Sequence, residues 1–147
     1  MYSKVLVPLD GSPRAEAILP HVIELARRCG TEVTLVQVIE MPHLRLTDPV
    51  DASLIYQEYD RRVQGARAYL ADLRARLLED EGVAAHYVVA DGPVVDGIME
   101  AAEEAEADLI ALASHGRTGL AHVFYGSVAL GLLHRADRPL LVVRAQD

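Results

Sequence analysis

The segment Lys4-Val-Leu-Val-Pro-Leu-Asp-Gly-Ser-Pro13 joins a short apolar run to a turn and to the start of a helix. The apolar run, residues 5–9, is typical of a buried strand, and Asp10 with the glycine after it marks the turn. Ser12 is a favourable N-cap, and Pro13 suits the first position of a helix because no N–H group is needed there. The segment therefore predicts the strand–turn–helix unit from which parallel α/β sheets are built.

Outward from this unit, strand and helix patterns alternate to the end of the chain, which favours a parallel sheet with right-handed crossovers. Pro20 falls inside the first predicted helix and should kink it, and Gly30 should end it. Residues 41–51 carry two prolines and no periodicity, so they are predicted to form a loop. The predicted strands are residues 5–9, 33–39, 83–90, 108–113 and 140–143, and the predicted helices are residues 13–29, 52–81, a helix after Pro93 and one from about 126 to 135.

The composition fits one α/β domain that spans residues 1–147. Hydrophobic residues make up 51% of the chain and aromatic residues 5%, so the core must be mainly aliphatic, as in a parallel sheet covered on both faces. The net charge of -8 argues against non-specific binding to nucleic acid or to an anionic membrane, although backbone N–H groups at a helix start still suit a small phosphorylated ligand. Cys29 is the single cysteine and the N-terminus lacks a signal-peptide pattern, so we expect a cytoplasmic protein.

Two segments follow the predicted first and fourth strands, where open sheets of this kind bind their ligands. Asp10 follows the first strand, and its carboxylate either accepts ribose hydroxyls, holds a metal-bound water or caps the turn behind it. After the fourth strand, Gly116 and Gly119 allow a ligand to approach the backbone closely. The pair Gly126-Ser127 begins a helix whose free N–H groups favour an anion. The simpler alternative is that the glycines only shape a turn and that Ser127 only caps a helix.

The run from residue 113 to 129, Ala-Ser-His-Gly-Arg-Thr-Gly-Leu-Ala-His-Val-Phe-Tyr-Gly-Ser-Val-Ala, resembles the nucleotide-loop signature of the universal stress protein family. That signature reads G-x-x-G, nine residues, then G-S or G-T, and here Gly116 is its second glycine and Gly126-Ser127 its end. Residues 4–12 are similar to the family's opening strand and turn, and residues 138–144 resemble its closing strand. These motifs follow the family's order over essentially the whole chain.

The resemblance implies an open, doubly wound sheet of five parallel strands in the order 3-2-1-4-5, with helices on both faces, of the adenine-nucleotide α-hydrolase type. It also implies binding of ATP or another adenine nucleotide, cyclic AMP included, with or without Mg²⁺ or Mn²⁺. In the binding branch of the family, the position that matches Asp10 lies near the ribose, and the position that matches Val38 borders the adenine. The nucleotide-binding residues expected here are Pro8, Leu9, Asp10, Val38, Leu112, Ala113, Gly116, Arg117, Gly119, Gly126, Ser127 and Val128.

Ala113 departs from the signature, whose first position is glycine. If that position needs a positive φ, alanine costs roughly 1–2 kcal/mol, on the order of tenfold in affinity. In ordinary strand geometry the extra methyl group is harmless. Because the rest of the signature is intact, we expect the binding branch. The alternative is a dimeric interaction module of the same family that binds no nucleotide.

We expect a regulatory protein of the stress response without dedicated catalytic machinery, capable at most of weak ATP hydrolysis. His115 suggests a triad with Asp10 and a serine, but no G-x-S-x-G elbow surrounds Ser114 or Ser127. An adenylyl-transfer enzyme would need a lysine or histidine over the α-phosphate, and Lys4, the only lysine, lies at the wrong end of the first strand.

The last predicted strand is wholly apolar, and an apolar edge strand left open is an aggregation hazard. Pairing with the same strand of a second copy removes that hazard, and the resemblance implies dimers of this kind. We therefore expect a homodimer formed through Leu140, Leu141, Val142 and Val143.

Overall fold

The computed structural model describes residues 1–41, 49–115 and 126–145. Strands and helices alternate along these residues, as the sequence pattern predicts. The strands are β1 (Lys4–Pro8), β2 (Glu32–Ile39), β3 (Ala85–Asp91), β4 (Leu109–His115) and β5 (Leu140–Ala145). The helices are α1 (Leu19–Cys29), which follows a short 3₁₀ helix (Ala15–Ile18), α2 (Pro49–Glu81), α3 (Val94–Glu104) and α4 (Ser127–Arg135).

The five strands form a parallel sheet in the order β3-β2-β1-β4-β5, which confirms the expected fold class. Val7 of the central strand β1 pairs with Leu35 of β2, and Leu6 pairs with Ile110 of β4. The chain leaves β1 toward β2 on one side and later returns to place β4 on the other side. The strand order therefore reverses between β1 and β4, and a crevice for ligands is expected beyond their carboxyl ends.

Alternate residues of each strand face opposite sides of the sheet. Val5 and Val7 of β1 belong to the core beneath α1 and α2, whereas Leu6 between them belongs to the core beneath α3 and α4. All three side chains are at most 1% exposed. Helices cover both faces, which explains why the strands read as nearly continuous apolar runs. No helix in the described ranges is both long and apolar enough to cross a membrane.

The first helix differs from its prediction at its start. The α-helical geometry begins at Leu19, after the 3₁₀ helix, so Pro20 lies in the first turn of α1. The expected kink inside the helix was therefore wrong, because a proline in the first turn interrupts no i to i−4 hydrogen bond. The end of the helix is as predicted. Gly30 has a φ of 68°, and its N–H donates to the Ala26 carbonyl oxygen over 2.8 Å.

The other elements lie within a few residues of their predicted bounds. Both β4 and β5 run two residues further than predicted, to His115 and Ala145. Helix α2 begins at Pro49, so the last part of the predicted 41–51 loop is helical. Residues 42–48 of that loop lie outside the described residues.

The side chain of Arg138 connects the amino-terminal end of β5 to the end of α3 through hydrogen bonds. Its side chain is 13% exposed, and its Nη1 donates to the carbonyl oxygens of Ala102, over 3.0 Å, and Ala107, over 2.8 Å. The same guanidinium pairs with the exposed carboxylates of Glu103 and Asp137. One long side chain thus satisfies carbonyl groups where α3 ends and β4 is about to begin.

Candidate functional site

A cavity of about 280 Å³ lies at the switch point of the sheet. Its walls come from the carboxyl ends of β1, β2 and β4 and from the first turns of α3 and α4. Nine of the residues expected from the sequence line it: Pro8, Leu9, Asp10, Val38, Leu112, Ala113, Gly126, Ser127 and Val128. The other three, Gly116, Arg117 and Gly119, lie outside the described residues.

The cavity also contains residues that the sequence analysis did not assign to a site. Val94 and Ile98 follow the pattern of core residues in an amphipathic helix, but they lie in the cavity wall. The sequence did carry an indication of their position. The turn before Val94 follows the third predicted strand, so the helix after it begins at the carboxyl end of the sheet, where ligands bind. The full set of additional lining residues is Ala15, Val36, Val94, Ile98, Ser114 and Ala129.

One part of the cavity is apolar. Val36 and Val38 of β2 lie across from Leu112 of β4, and α3 contributes Val94 and Ile98. Val36, Leu112 and Ile98 are each at most 4% exposed, so this wall is continuous with the core beneath α3 and α4. A slot with aliphatic walls suits a flat, weakly polar group such as a nucleobase.

The polar part of the cavity begins with Asp10. Its Oδ1 accepts hydrogen bonds from the Ser12 N–H over 2.9 Å and from the Ser12 hydroxyl over 2.6 Å. The Ser12 hydroxyl oxygen in turn accepts from the Ala15 N–H over 3.3 Å, and Gly11 supplies the positive φ of 85° that the turn requires. The interpretation that Asp10 caps the turn is therefore confirmed for its Oδ1 atom. Within the described residues no hydrogen bond reaches Oδ2, which leaves an acceptor for a ligand.

A tyrosine lies behind this turn, on the α2 side of the sheet. The hydroxyl of Tyr69 donates to Oε2 of Glu16 over 2.9 Å. Burial raises the pKa of Tyr69 well above its ordinary value, and the hydrogen bond to Glu16 and the negative charges of Glu16 and Asp10 raise it further. The phenol therefore stays protonated and acts as a donor that holds the 3₁₀ helix against α2.

The opposite polar wall is the start of α4. Gly126 occupies the N-cap position, with extended backbone angles, and its carbonyl oxygen accepts from the Leu130 N–H over 3.0 Å. Ser127 is the first helical residue, and within the described residues no side chain caps this helix. The alternative that Ser127 caps this helix was therefore wrong, because Gly126 occupies the N-cap position. The exposed Ser127 hydroxyl and the N–H groups of the first turn remain available to an anion.

Ala113 lies in regular strand geometry. It is part of β4 and pairs with Val143 of β5. Among the described residues, Glu106 is the only non-glycine residue with a positive φ. Alanine at this position therefore carries no left-handed strain. The following residue, Ser114, is 6% exposed and brings a buried hydroxyl to the cavity wall.

The described residues do not form a preassembled metal centre. No group of three or more histidine, cysteine, aspartate or glutamate side chains with metal-binding geometry occurs within them. Asp10 is the one acidic residue among the described residues that line the cavity. Mg²⁺ is commonly bound by one or two carboxylates together with phosphate oxygens and water, so this chemistry fits an ion that arrives with a nucleotide. The side chain of His115 lies outside the described residues.

Comparison with known proteins identifies relatives along the whole chain. A model described as the universal stress protein family matches residues 1–144. Universal stress protein MJ0531 of Methanocaldococcus jannaschii is 30% identical over 145 residues, a match that covers 98% of this chain and 83% of that protein. The structure of protein MJ0577 of the same organism is 27% identical and superposes with a TM-score of 0.81, covering 100% of this chain and 99% of that chain.

Two further similar structures hold adenine nucleotides. One is a universal stress protein in complex with cAMP, 20% identical with a TM-score of 0.59, covering 99% of this chain and 98% of that chain. The other is a universal stress protein family member from Arabidopsis thaliana with AMP bound, 16% identical with a TM-score of 0.65, covering 98% of this chain and 92% of that chain. At these identities the likeness shows a shared fold.

Proposed function

This chain belongs to the universal stress protein family, and we propose that it binds an adenine nucleotide, ATP in the first instance, in the cavity at its switch point. The observation that carries the proposal is the cavity itself. Nine residues expected from the sequence, drawn from four separate segments, line one pocket with an apolar part and a polar part. Similar folds bind cAMP and AMP, which supports the choice of an adenine nucleotide.

The apolar slot is the proposed site of the base. Val36, Val38 and Leu112 present aliphatic side chains from two strands, and Ile98 closes the slot from α3. Burying a flat ring among such groups is favourable at roughly 25 cal/mol per Å² of apolar surface. Selectivity for adenine would then rest on the shape of the slot and on backbone groups at its rim.

Asp10 is the proposed ribose contact. The hydrogen bonds from Ser12 to Oδ1 fix the orientation of the carboxylate before any ligand arrives. Oδ2 can then accept a ribose hydroxyl without a further loss of side-chain freedom. The turn-capping and ligand-binding roles are therefore compatible, because each uses a different oxygen.

The start of α4 is the proposed phosphate site. Gly126 has no side chain to obstruct a phosphate, and the N–H groups behind Ser127 carry the positive end of the helix dipole. Binding of this kind does not require a net positive charge, so it is compatible with the net charge of -8. Mg²⁺ or Mn²⁺ would be held mainly by the phosphates, with Asp10 as the nearest carboxylate that lines the cavity.

We assign the protein a regulatory role in the stress response rather than a catalytic one. The strand geometry of Ala113 removes the one sequence feature that favoured a branch without nucleotide binding. The exposed single cysteine, Cys29, is compatible with a reducing compartment, and we propose the cytoplasm.

We also propose a homodimer through β5. This strand lies at the edge of the sheet, and Leu140 to Val143 are only half-buried. The adjacent helix α4 adds Leu130 and Leu133, which are 47% and 50% exposed. Sedimentation equilibrium at micromolar concentration should give twice the mass of one chain. A soluble, non-aggregating monomer would contradict the dimer.

The binding proposal is tested by mass spectrometry of the small molecules released when the purified protein is denatured. We expect an adenine nucleotide in near-stoichiometric amount. In a titration of stripped protein, Asp10→Asn should weaken ATP binding roughly tenfold and weaken binding of 2′,3′-dideoxy-ATP much less. Asp80→Asn, on the exposed end of α2, is the control and should change neither affinity. Equal losses for both nucleotides in Asp10→Asn would contradict the ribose contact.

A further inference from the structure

Gly97 of α3 packs directly against Val38, a residue of the cavity wall. A Cβ atom built on Gly97 would lie 2.8 Å from Cγ1 and 2.9 Å from Cγ2 of Val38, and 3.4 Å from the carbonyl oxygen of Asp91. Carbon atoms are normally 3.5–4.0 Å apart, so an alanine does not fit without movement. The absence of a side chain at this one position therefore allows α3 to lie directly on Val38.

The contact lies at the cavity wall, although Gly97 itself does not line the cavity. Val38 lines it from β2, and Val94 and Ile98, on either side of Gly97 along α3, line it from the helix. Val38 is stiff, because a β-branched side chain has few accessible rotamers and its strand is held in register by the pairing with Ala90. Any added volume at Gly97 must therefore move Val38 or displace α3, and each movement changes the apolar slot.

Helix stability does not account for this glycine. Glycine inside a helix is less favourable than alanine, and Gly97 has no positive φ that would require it. Gly65 of α2 offers a direct comparison, since a Cβ there would meet no atom of the described part of the chain within 4 Å. What distinguishes Gly97 is the contact with Val38.

We infer that Gly97 is a positioning residue that sets the width of the apolar slot through Val38 and thereby the preference of the site for a purine base. The inference rests on the proposed nucleotide binding. Gly97 itself touches no ligand in this account. It acts by fixing the distance between α3 and β2, so that a purine is held on both faces.

The test is the substitution Gly97→Ala, with ATP and UTP titrated separately into stripped protein. We expect the affinity for ATP to fall roughly tenfold, as for other overpacked sites. The affinity for UTP, whose base is smaller and makes fewer wall contacts, should fall by less than about threefold. The ratio of the two affinities is the decisive readout, because general destabilisation of the fold does not change base preference.

Val38→Ala provides the rescue. It removes both methyl groups that the alanine at position 97 would meet. Adding Gly97→Ala to Val38→Ala should therefore change the ATP affinity by less than about twofold. A full tenfold loss in this background would overturn the inference, because the effect would not pass through Val38.

Two other glycines serve as controls. Gly65→Ala should raise stability and leave both affinities unchanged, since its added Cβ meets none of the described residues within 4 Å. Gly131→Ala introduces a similar clash, 2.8 Å from Cγ2 of Val95, at a position outside the cavity lining. It should lower stability without changing the ATP to UTP ratio. The same change of ratio in Gly131→Ala as in Gly97→Ala would overturn the inference.

The proposed function and this inference can fail separately. If the wild-type protein binds no nucleotide, the proposed function and the base preference fail, and crystal structures of the wild type and Gly97→Ala decide whether Gly97 sets the width of the slot. We expect Val38 or α3 to move by at least several tenths of an ångström, which narrows or opens the slot. An unchanged slot in Gly97→Ala would overturn the inference whatever the nucleotide result.

Discussion

Replacing Ala113 with glycine should destabilise the fold while leaving nucleotide affinity nearly unchanged. The signature that this segment resembles has glycine at this position, so a strained alanine would gain roughly 1–2 kcal/mol, or about tenfold in affinity, from the change. The structure contains no such strain, because Ala113 is an ordinary strand residue paired with Val143. We therefore expect the affinity for ATP to change by less than about threefold.

The stability cost of Ala113→Gly follows from two losses. The methyl group is half-buried against the core beneath α1 and α2, and removing it costs about 0.5 kcal/mol, less than a fully buried methylene. The extra freedom of glycine in the unfolded chain costs about 0.5–1 kcal/mol more. Urea unfolding should therefore show a loss of about 1–1.5 kcal/mol.

Ala111→Gly is the matched control. Ala111 lies on the same strand and the same face, pairs with Leu141, is fully buried and is not part of the cavity lining. It should lose about 1.5 kcal/mol of stability with no change in affinity. A tenfold gain of ATP affinity in Ala113→Gly, unmatched by Ala111→Gly, would refute the reasoning about strand geometry.

Three further substitutions test other parts of the account. Arg138→Ala breaks two charge-assisted bonds to the carbonyls of Ala102 and Ala107 and should cost about 3 kcal/mol in urea unfolding; a loss below about 1 kcal/mol would contradict this role. Gly126→Val places a branched side chain at the proposed phosphate end of the cavity and should abolish ATP binding in calorimetry. Gel filtration should give the same oligomer for this variant as for the wild type. Asp108→Asn should flatten the loss of stability in acid. Burial raises the pKa of Asp108, but backbone N–H hydrogen bonds, those of Ser3 and Lys4 first, together with the charge of the N-terminus lower the pKa overall. The stability from this group is therefore present above about pH 4, the ordinary aspartate range, and is lost as pH falls through the lowered folded-state pKa. Parallel acid unfolding curves for wild type and variant would contradict this assignment.

Most of the fold was predictable because its signals are local. Short apolar runs marked the strands, and Gly30 ended the first helix through its left-handed conformation. The start of that helix was not predictable. The Ser12 hydroxyl does accept a hydrogen bond from the Ala15 N–H, as expected of a cap, but the helix that begins there is a short 3₁₀ helix. Only Pro20, a second start signal, coincides with the change to α-helical geometry.

The cavity lining was predictable where the order of the strands decides which chain segments lie next to each other. The segments that follow β1 and β4 were expected to meet at the switch point, and Asp10 and Gly126 do line the same cavity there. Val94 and Ile98 look like any core residues of an amphipathic helix, and only the packing of α3 across β2 makes them cavity wall. Arg138 was missed as a structural residue because its partners lie more than thirty positions away in sequence.

Calorimetric titration of nucleotide-stripped protein with ATP and Mg²⁺ tests the central claim most directly. The account predicts one site for each chain with roughly micromolar affinity, about −8 kcal/mol, and loss of the signal in Gly126→Val. The absence of any binding heat for ATP, AMP and cyclic AMP at several temperatures would contradict it. The protein would then act as an interaction module that does not use the cavity for nucleotides.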